Sequence, residues 1–105
     1  MDQVRASHIL LMYSGSMRST NNRPKEDAVI EIEGLQSQIN DGADFAELAK
    51  IHSDCPSGSD GGDLGSFGRG QMVPAFEDSA FSMEIGEVSS VVETDFGFHL
   101  IQRTG

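Results

Sequence analysis

Ser90-Val91-Val92-Glu93-Thr94-Asp95-Phe96-Gly97-Phe98-His99-Leu100-Ile101-Gln102-Arg103 holds two runs of strand-forming residues around a short polar and glycine segment. Val, Ile, Thr and aromatic side chains favour pleated backbone. A brief glycine-containing break between two such runs marks a hairpin. Strands are therefore predicted over Ser90 to Thr94 and Phe98 to Arg103, turning at Asp95-Phe96-Gly97.

Upstream of the hairpin, Pro74 to Met83 reads as a helix, with Phe76, Ala80 and Met83 on one side and Gly86 as its stop. Residues 58–70 hold six of the 12 glycines. A phosphate loop would need a following Gly-Lys-Ser/Thr, which is missing. A shaped loop with a short strand around Leu64 to Phe67 is expected instead. Asp44, with Glu47 three residues on, opens a helix carrying Phe45, Leu48 and Ala49. Lys25 to Asp41 carries Ala28, Ile32, Leu35 and Ile39 as an amphipathic stripe, with Pro24 near its start and Gly42 past its end. Tyr13 to Arg23 is a loop. Val4 to Met12 is a strand with Val4, Ala6, His8, Leu10 and Met12 on one face. The order of strand, helices, strand, helix and hairpin predicts an α+β domain with helices packed on a small, mainly antiparallel sheet.

The 105 residues fit one domain, 1–105. With 37% hydrophobic and 23% charged residues, the chain reads as globular. Its 17 acids against 7 bases give a net charge of −10. Nucleic-acid binding needs a basic surface, and the last 80 residues carry three bases. An anionic membrane surface is disfavoured likewise, and no apolar run approaches the ~20 residues of a membrane span. No signal peptide is evident. The lone Cys55 precludes an intrachain disulfide and fits an intracellular compartment. Residues 1–25 carry four bases and one acid, and the basic concentration from Arg18 to Lys25 reads first as a solvated loop.

Chemistry-bearing candidates are Cys55, His8, His52, His99, Thr94 and Asp63. A Cys–His pair could serve a thiol hydrolase. His8, His99 and Cys55 could ligate a metal, although no ligand spacing supports it. Histidines on strands are more often packed core residues, as are Leu64, Met72 and Phe76.

Several stretches together resemble the parvulin family of peptidyl-prolyl isomerases. They are Ala6-Ser7-His8-Ile9-Leu10, Asp44-Phe45-Ala46-Glu47-Leu48-Ala49, Ser53-Asp54-Cys55, Gly61-Gly62-Asp63-Leu64-Gly65-Ser66-Phe67, Gly70-Gln71-Met72-Val73-Pro74-Ala75-Phe76 and Thr94-Asp95-Phe96-Gly97-Phe98-His99-Leu100-Ile101. Their joint order is specific and spans Val4 to Thr104. Asp2-Gln3-Val4-Arg5-Ala6-Ser7-His8 and Ser53-Asp54-Cys55 are most similar to eukaryotic Pin-type members. The resemblance implies a four-stranded, mainly antiparallel sheet surrounded by about four helices. It implies non-covalent rotation about Xaa-Pro bonds, with proline-containing peptides and proteins as partners and neither cofactor nor metal.

By the same resemblance, Leu64, Met72 and Phe76 form a proline pocket with Gln71 at its rim. His8, Cys55, Thr94 and His99 form its polar floor, with Cys55 near the reacting carbonyl and not as an attacking nucleophile. Some parvulins carry Asp at the position of Cys55. A monomer in the cytoplasm, the nucleus or both is expected, with neither nucleic acid nor membrane as a partner. The alternative is a proline-peptide binding or chaperone module with weak activity. Phosphate-preferring Pin-type enzymes place a Lys four residues after the strand histidine, then an Arg-Arg pair. Met12, Met17 and Arg18 stand there in this chain, with Arg23 and Lys25 as further cations. Phe96 replaces the usual Ser. Both departures predict weak or absent phosphate dependence, with a mild preference for acidic residues before proline. Arg18 and Phe96 are the expected contacts to that part of the substrate.

Overall fold

The computed structural model describes residues 3–17, 19 and 21–105. Its elements are β1 (Gln3–Leu11), α1 (Lys25–Asn40), α2 (Phe45–His52), a 3₁₀ turn (Pro56–Asp60), β2 (Asp63–Gly68), α3 (Pro74–Ser82), β3 (Val92–Thr94) and β4 (Gly97–Arg103). The sheet order is β2-β1-β4-β3, and all three pairings are antiparallel. The predicted α+β architecture is present, with one adjustment. Three α-helices and a 3₁₀ turn replace about four helices, because Pro56-Ser57-Gly58-Ser59-Asp60 is too short and too poor in helix formers to run as α.

β1 lies between two strands and is buried on both faces, so its sequence alternates poorly. Ile9 and Leu11 join Ala28, Ile32, Leu35, Phe45, Leu48, Phe98 and Leu100 in the core under α1 and α2. Val4 and Ala6 join Phe67, Phe76, Ala80, Met83 and Ile101 in a second core under α3. Helices on both faces hold the sheet as a rigid middle layer.

Local chemistry sets the ends of the elements. α1 ends in a Schellman motif: Ala43 N–H donates to Gln38 C=O at 2.9 Å and Gly42 N–H to Ile39 C=O at 3.0 Å. Pro24 is the N-cap, and its carbonyl accepts Ala28 N–H at 3.1 Å. Asp44 caps α2 by accepting Glu47 N–H at 3.2 Å. The Glu47 carboxylate faces Lys50 at 3.8 Å.

α3 stops at Ser82, one residue short of the expected end, because Met83 is already extended. Arg103 Nη1 then donates to the Met83 carbonyl at 2.6 Å. Gly86 lies beyond the helix, its N–H donating to Arg103 C=O. β3 begins at Val92 and not at Ser90, because the Ser89 hydroxyl accepts Ile101 N–H at 3.0 Å. A side chain there takes the place of a ladder partner. β1 stops at Leu11, since Met12 N–H donates to the Asp54 carboxylate at 2.9 Å instead of to a strand.

Two glycines are required by close approach. Gly62 has φ +85°, and a Cβ there would lie 2.3 Å from the His8 carbonyl oxygen. Gly97 has φ +143°, with a Cβ 2.3 Å from the Leu11 carbonyl oxygen. Both put neighbouring backbone, the turn before β2 and the start of β4, directly against β1.

Candidate active site

Strand register brings the polar residues together. On β1 and β4, Leu10 pairs with His99 and His8 with Ile101. On β3 and β4, Val92 pairs with His99 and Thr94 with Gly97. His8, His99 and Thr94 are thus diagonal neighbours on the face towards α3, a relation within reach of long side chains. His8 Nδ1 lies 3.1 Å from His99 Nδ1, and Thr94 Oγ1 lies 2.7 Å from His99 Nε2. Thr94 Oγ1 also accepts Phe96 N–H at 3.2 Å. Each inter-residue bond holds one proton, so the direction of one sets the direction of the other.

Both rings are buried. Burial pushes the His8 pKa down to about 4. Burial, then the charge of His8, pushes that of His99 down to about 3. Each is neutral near pH 7. Phe76 meets both rings in T-shaped contacts, at 5.5 Å from His8 and 5.4 Å from His99. His8 Nε2 is buried without a hydrogen-bond partner among the described residues.

A cavity of about 430 Å³ opens above these rings. Leu64, Met72 and Phe76 form its apolar wall, His8, His99 and Cys55 its polar side, and Gln71 and Phe96 line it too. Eight of the ten residues that the resemblance assigns to the site therefore line one cavity. Thr94 stands behind His99 and lines a neighbouring open cleft with Tyr13, Met17 and Asp95. Arg18 lies outside the described residues. His52 ends α2 and does not line the cavity. Leu10, Pro56 and Val73 line it without having been singled out. Each adjoins or shares a strand face with a chosen residue, which was the available signal. Met12, read from the sequence as a lost cation on the strand face of His8, is part of the wall.

The wall is fixed by backbone anchors. A register shift between β1 and β2 puts one extra residue in β2 near Leu64, a bulge that re-aims a side chain. Asp63 pins it, accepting Gly65 N–H at 3.0 Å and pairing with Arg5 at 2.6 Å. The Arg5 hydrogen bond holds the Asp63 carboxyl below the ordinary range. Gln71 Oε1 accepts Gly68 N–H at 2.6 Å, which leaves its amide donors available. Glu77 accepts Gly70 N–H, bracing the segment that carries Met72.

Cys55 is the N-cap of the 3₁₀ turn, and its Sγ accepts a hydrogen bond from the Ser57 hydroxyl at 3.2 Å. No Cys–His pair is formed among the described residues: Cys55 Sγ is bonded by Ser57, and the two cavity histidines bond each other. Nor is a metal centre: among the described residues no group of three or more His, Cys, Asp or Glu could hold an ion. The loop cations are engaged elsewhere. Lys25 pairs with Glu93 at 3.0 Å and lies 5.5 Å over the Tyr13 ring. Arg23 pairs with Asp54 at 3.0 Å. Arg23 and Lys25, the further cations of the loop, are thus both paired with intramolecular carboxylates.

An apolar ring pocket over a neutral, hydrogen-bonded histidine pair defines a rotamase-type site. The comparisons with known proteins agree. Residues 1–105 match the PPIC-type PPIASE domain. The chain is 43% identical over 115 residues to the peptidyl-prolyl cis-trans isomerase Pin1 of Digitalis lanata, across 99% of this chain and 98% of that protein. It is 44% identical over 112 residues to the peptidyl-prolyl cis-trans isomerase ESS1 of Saccharomyces cerevisiae, across 98% of this chain and 66% of that one. Among solved structures, ESS1 from Candida albicans superposes with a TM-score of 0.89 at 40% identity, covering 98% of this chain and 63% of that one. The solution structure of TbPIN1 gives 0.88 at 38% identity, covering 98% and 97%. The chain belongs to the PPIC-type family of peptidyl-prolyl cis-trans isomerases, the parvulins. It is an isomerase acting on proline-containing peptides, and the reading as a binding module alone is not favoured.

Proposed function

We propose that the chain is one catalytic unit that rotates Xaa-Pro bonds non-covalently and does not require phosphate before the proline. The observation that carries this reading is the single cavity joining Leu64, Met72 and Phe76 to the His8–His99–Thr94 chain. The rotation barrier of an X-Pro amide is ~18–20 kcal/mol, and no covalent bond has to break. Each ~1.4 kcal/mol of preferential binding to the twisted amide gives tenfold in rate.

In this reading the proline ring sits against Leu64, Met72 and Phe76. The Gln71 amide donates to a peptide carbonyl beside the proline. His8, His99 and Thr94 form a neutral floor bonded to one another, with His8 Nε2 the one ring nitrogen of the pair left without a partner among the described residues. The ground-state carbonyl therefore finds few strong donors, and conjugation is not reinforced. Cys55 faces the reacting carbonyl as a weak polar partner. Its hydrogen bond from Ser57 suits a thiol held as an acceptor.

Met12 and Phe96 give the side of the cavity before proline an apolar character. Of the loop cations, Arg18 is the one assigned to the substrate, where it confers a mild preference for acidic residues. Losing a paired arginine fork removes bidentate phosphate binding. The chain acts as a monomer in the cytoplasm, the nucleus or both, without nucleic-acid or membrane partners. No helix among the described residues is long and apolar enough to cross a membrane.

The role of Cys55 is tested with Cys55→Asp, assayed by exchange NMR on an Ala-Pro peptide and by intact mass. Retained exchange with no mass adduct on the parent enzyme is expected. Loss of exchange together with a trapped acyl adduct on Cys55 overturns the non-covalent role.

A further inference from the structure

We propose that Arg23 and Asp54 are positioning residues that set Cys55 and Met12 in the cavity wall. The inference rests on the reading above that Cys55 faces the reacting carbonyl. Arg23 Nη1 donates to both the Asp54 carboxylate at 3.0 Å and the Met12 carbonyl at 2.8 Å. The same Asp54 oxygen accepts Met12 N–H at 2.9 Å. Arg23 Nε lies 3.0 Å from Glu31 on α1, an ion pair and not an aligned hydrogen bond. One guanidinium thus joins the end of β1, the segment before Cys55 and the first helix.

The backbone around the clamp is tied as well. Asp54 N–H donates to Leu10 C=O at 2.7 Å, and Ser53 Oγ accepts Leu10 N–H at 3.1 Å and Cys55 N–H at 3.4 Å. Arg23 itself is held by its own backbone. It precedes Pro24, which keeps it extended, its N–H donates to Asn21 Oδ1 at 2.7 Å, and its carbonyl accepts Ser14 N–H at 2.8 Å. The pair is largely withdrawn from water, with side chains 21% and 24% exposed. It therefore escapes much of the screening that makes surface pairs weak.

Leu64, Met72 and Phe76 belong to β2, α3 and the segment between them, and none of the clamp's partners lies on those elements. Breaking the clamp leaves the proline pocket standing and lets the Cys55 side drift. The expected signature is a fall in kcat with an unchanged KM.

The test is a kinetic cycle on an Ala-Pro peptide, well below the melting temperature, with Arg23→Met, Cys55→Ala and the double variant. Cys55→Ala and Arg23→Met are each expected to lower kcat about tenfold or more, with KM within about twofold, as misplacement by an ångström does elsewhere. In the Cys55→Ala background Arg23→Met is expected to have little further effect. Arg23→Lys, which reaches Asp54 but not all three acceptors, restores part of kcat. If Arg23→Met does not fold, Asp54→Asn keeps an oxygen for Met12 N–H, drops only the charge and runs the same cycle. Equal Arg23→Met losses in both backgrounds overturn positioning through Cys55. An unaltered kcat in Cys55→Ala overturns it too and shows that the underlying reading of Cys55 has failed.

Discussion

His8 and His99 meet Nδ1 to Nδ1 at 3.1 Å across β1 and β4, with their rings inclined by 21° and neither exposed. A contact of this kind tolerates one bridging proton and excludes two charges. Both pKa values lie below the ordinary 6.5, at about 4 and about 3. The unfolded chain takes up protons first as pH falls. Stability is therefore constant above about pH 6.5 and declines from there towards pH 4. Melting temperature measured from pH 8 to pH 4 checks this, and His99→Gln flattens the profile. A profile that His99→Gln leaves unaltered contradicts it.

Thr94 links that pair to the hairpin. Thr94→Val keeps the shape but leaves His99 Nε2 and Phe96 N–H without their partner. An unmet buried polar group costs about 1–3 kcal/mol. Urea unfolding is expected to report a loss in that range, with kcat reduced and KM little altered. A variant as stable and as active as the parent contradicts the linkage.

Met72 is half-buried, whereas Phe76 is also part of the core under α3. Met72→Ala is expected to lower kcat/KM about tenfold, equivalent to ~1.4 kcal/mol, while the melting temperature shifts by a few degrees. Phe76→Ala is expected to remove activity and about 3–5 kcal/mol of stability together. Parallel assays of activity and thermal unfolding separate the two.

Gly62 presses on His8. Gly62→Ala combines left-handed strain of about 1–3 kcal/mol with a Cβ 2.3 Å from the His8 carbonyl oxygen. Denaturant unfolding is expected to show a loss beyond the strain alone. Unchanged stability would mean that the turn before β2 does not approach β1 this closely.

Periodicity revealed what is periodic. Ala28, Ile32 and Leu35 form the buried stripe of α1 because a one-sided helix writes its burial into its spacing. Central strands do not. β1 is buried on both faces, so its own pattern could not say that His8 faces α3 and Ile9 faces α1. The start of β3 was misplaced because the Ser89 hydroxyl imitates a backbone partner, which composition cannot signal. The histidine pair depends on a register across 91 residues, which local spacing does not reveal. Arg23 and Lys25 read in the sequence only as further cations of a loop, whereas Asp54, Glu31 and Glu93 hold them. Long-range ion pairs leave no trace in local sequence.

Catalysis without a phosphate requirement is read from kcat/KM on matched pSer-Pro, Glu-Pro and Ala-Pro peptides. Values within about tenfold of one another, with Glu-Pro modestly ahead of Ala-Pro, are predicted. A pSer-Pro preference above about a hundredfold, ~2.7 kcal/mol of transition-state binding, would contradict it.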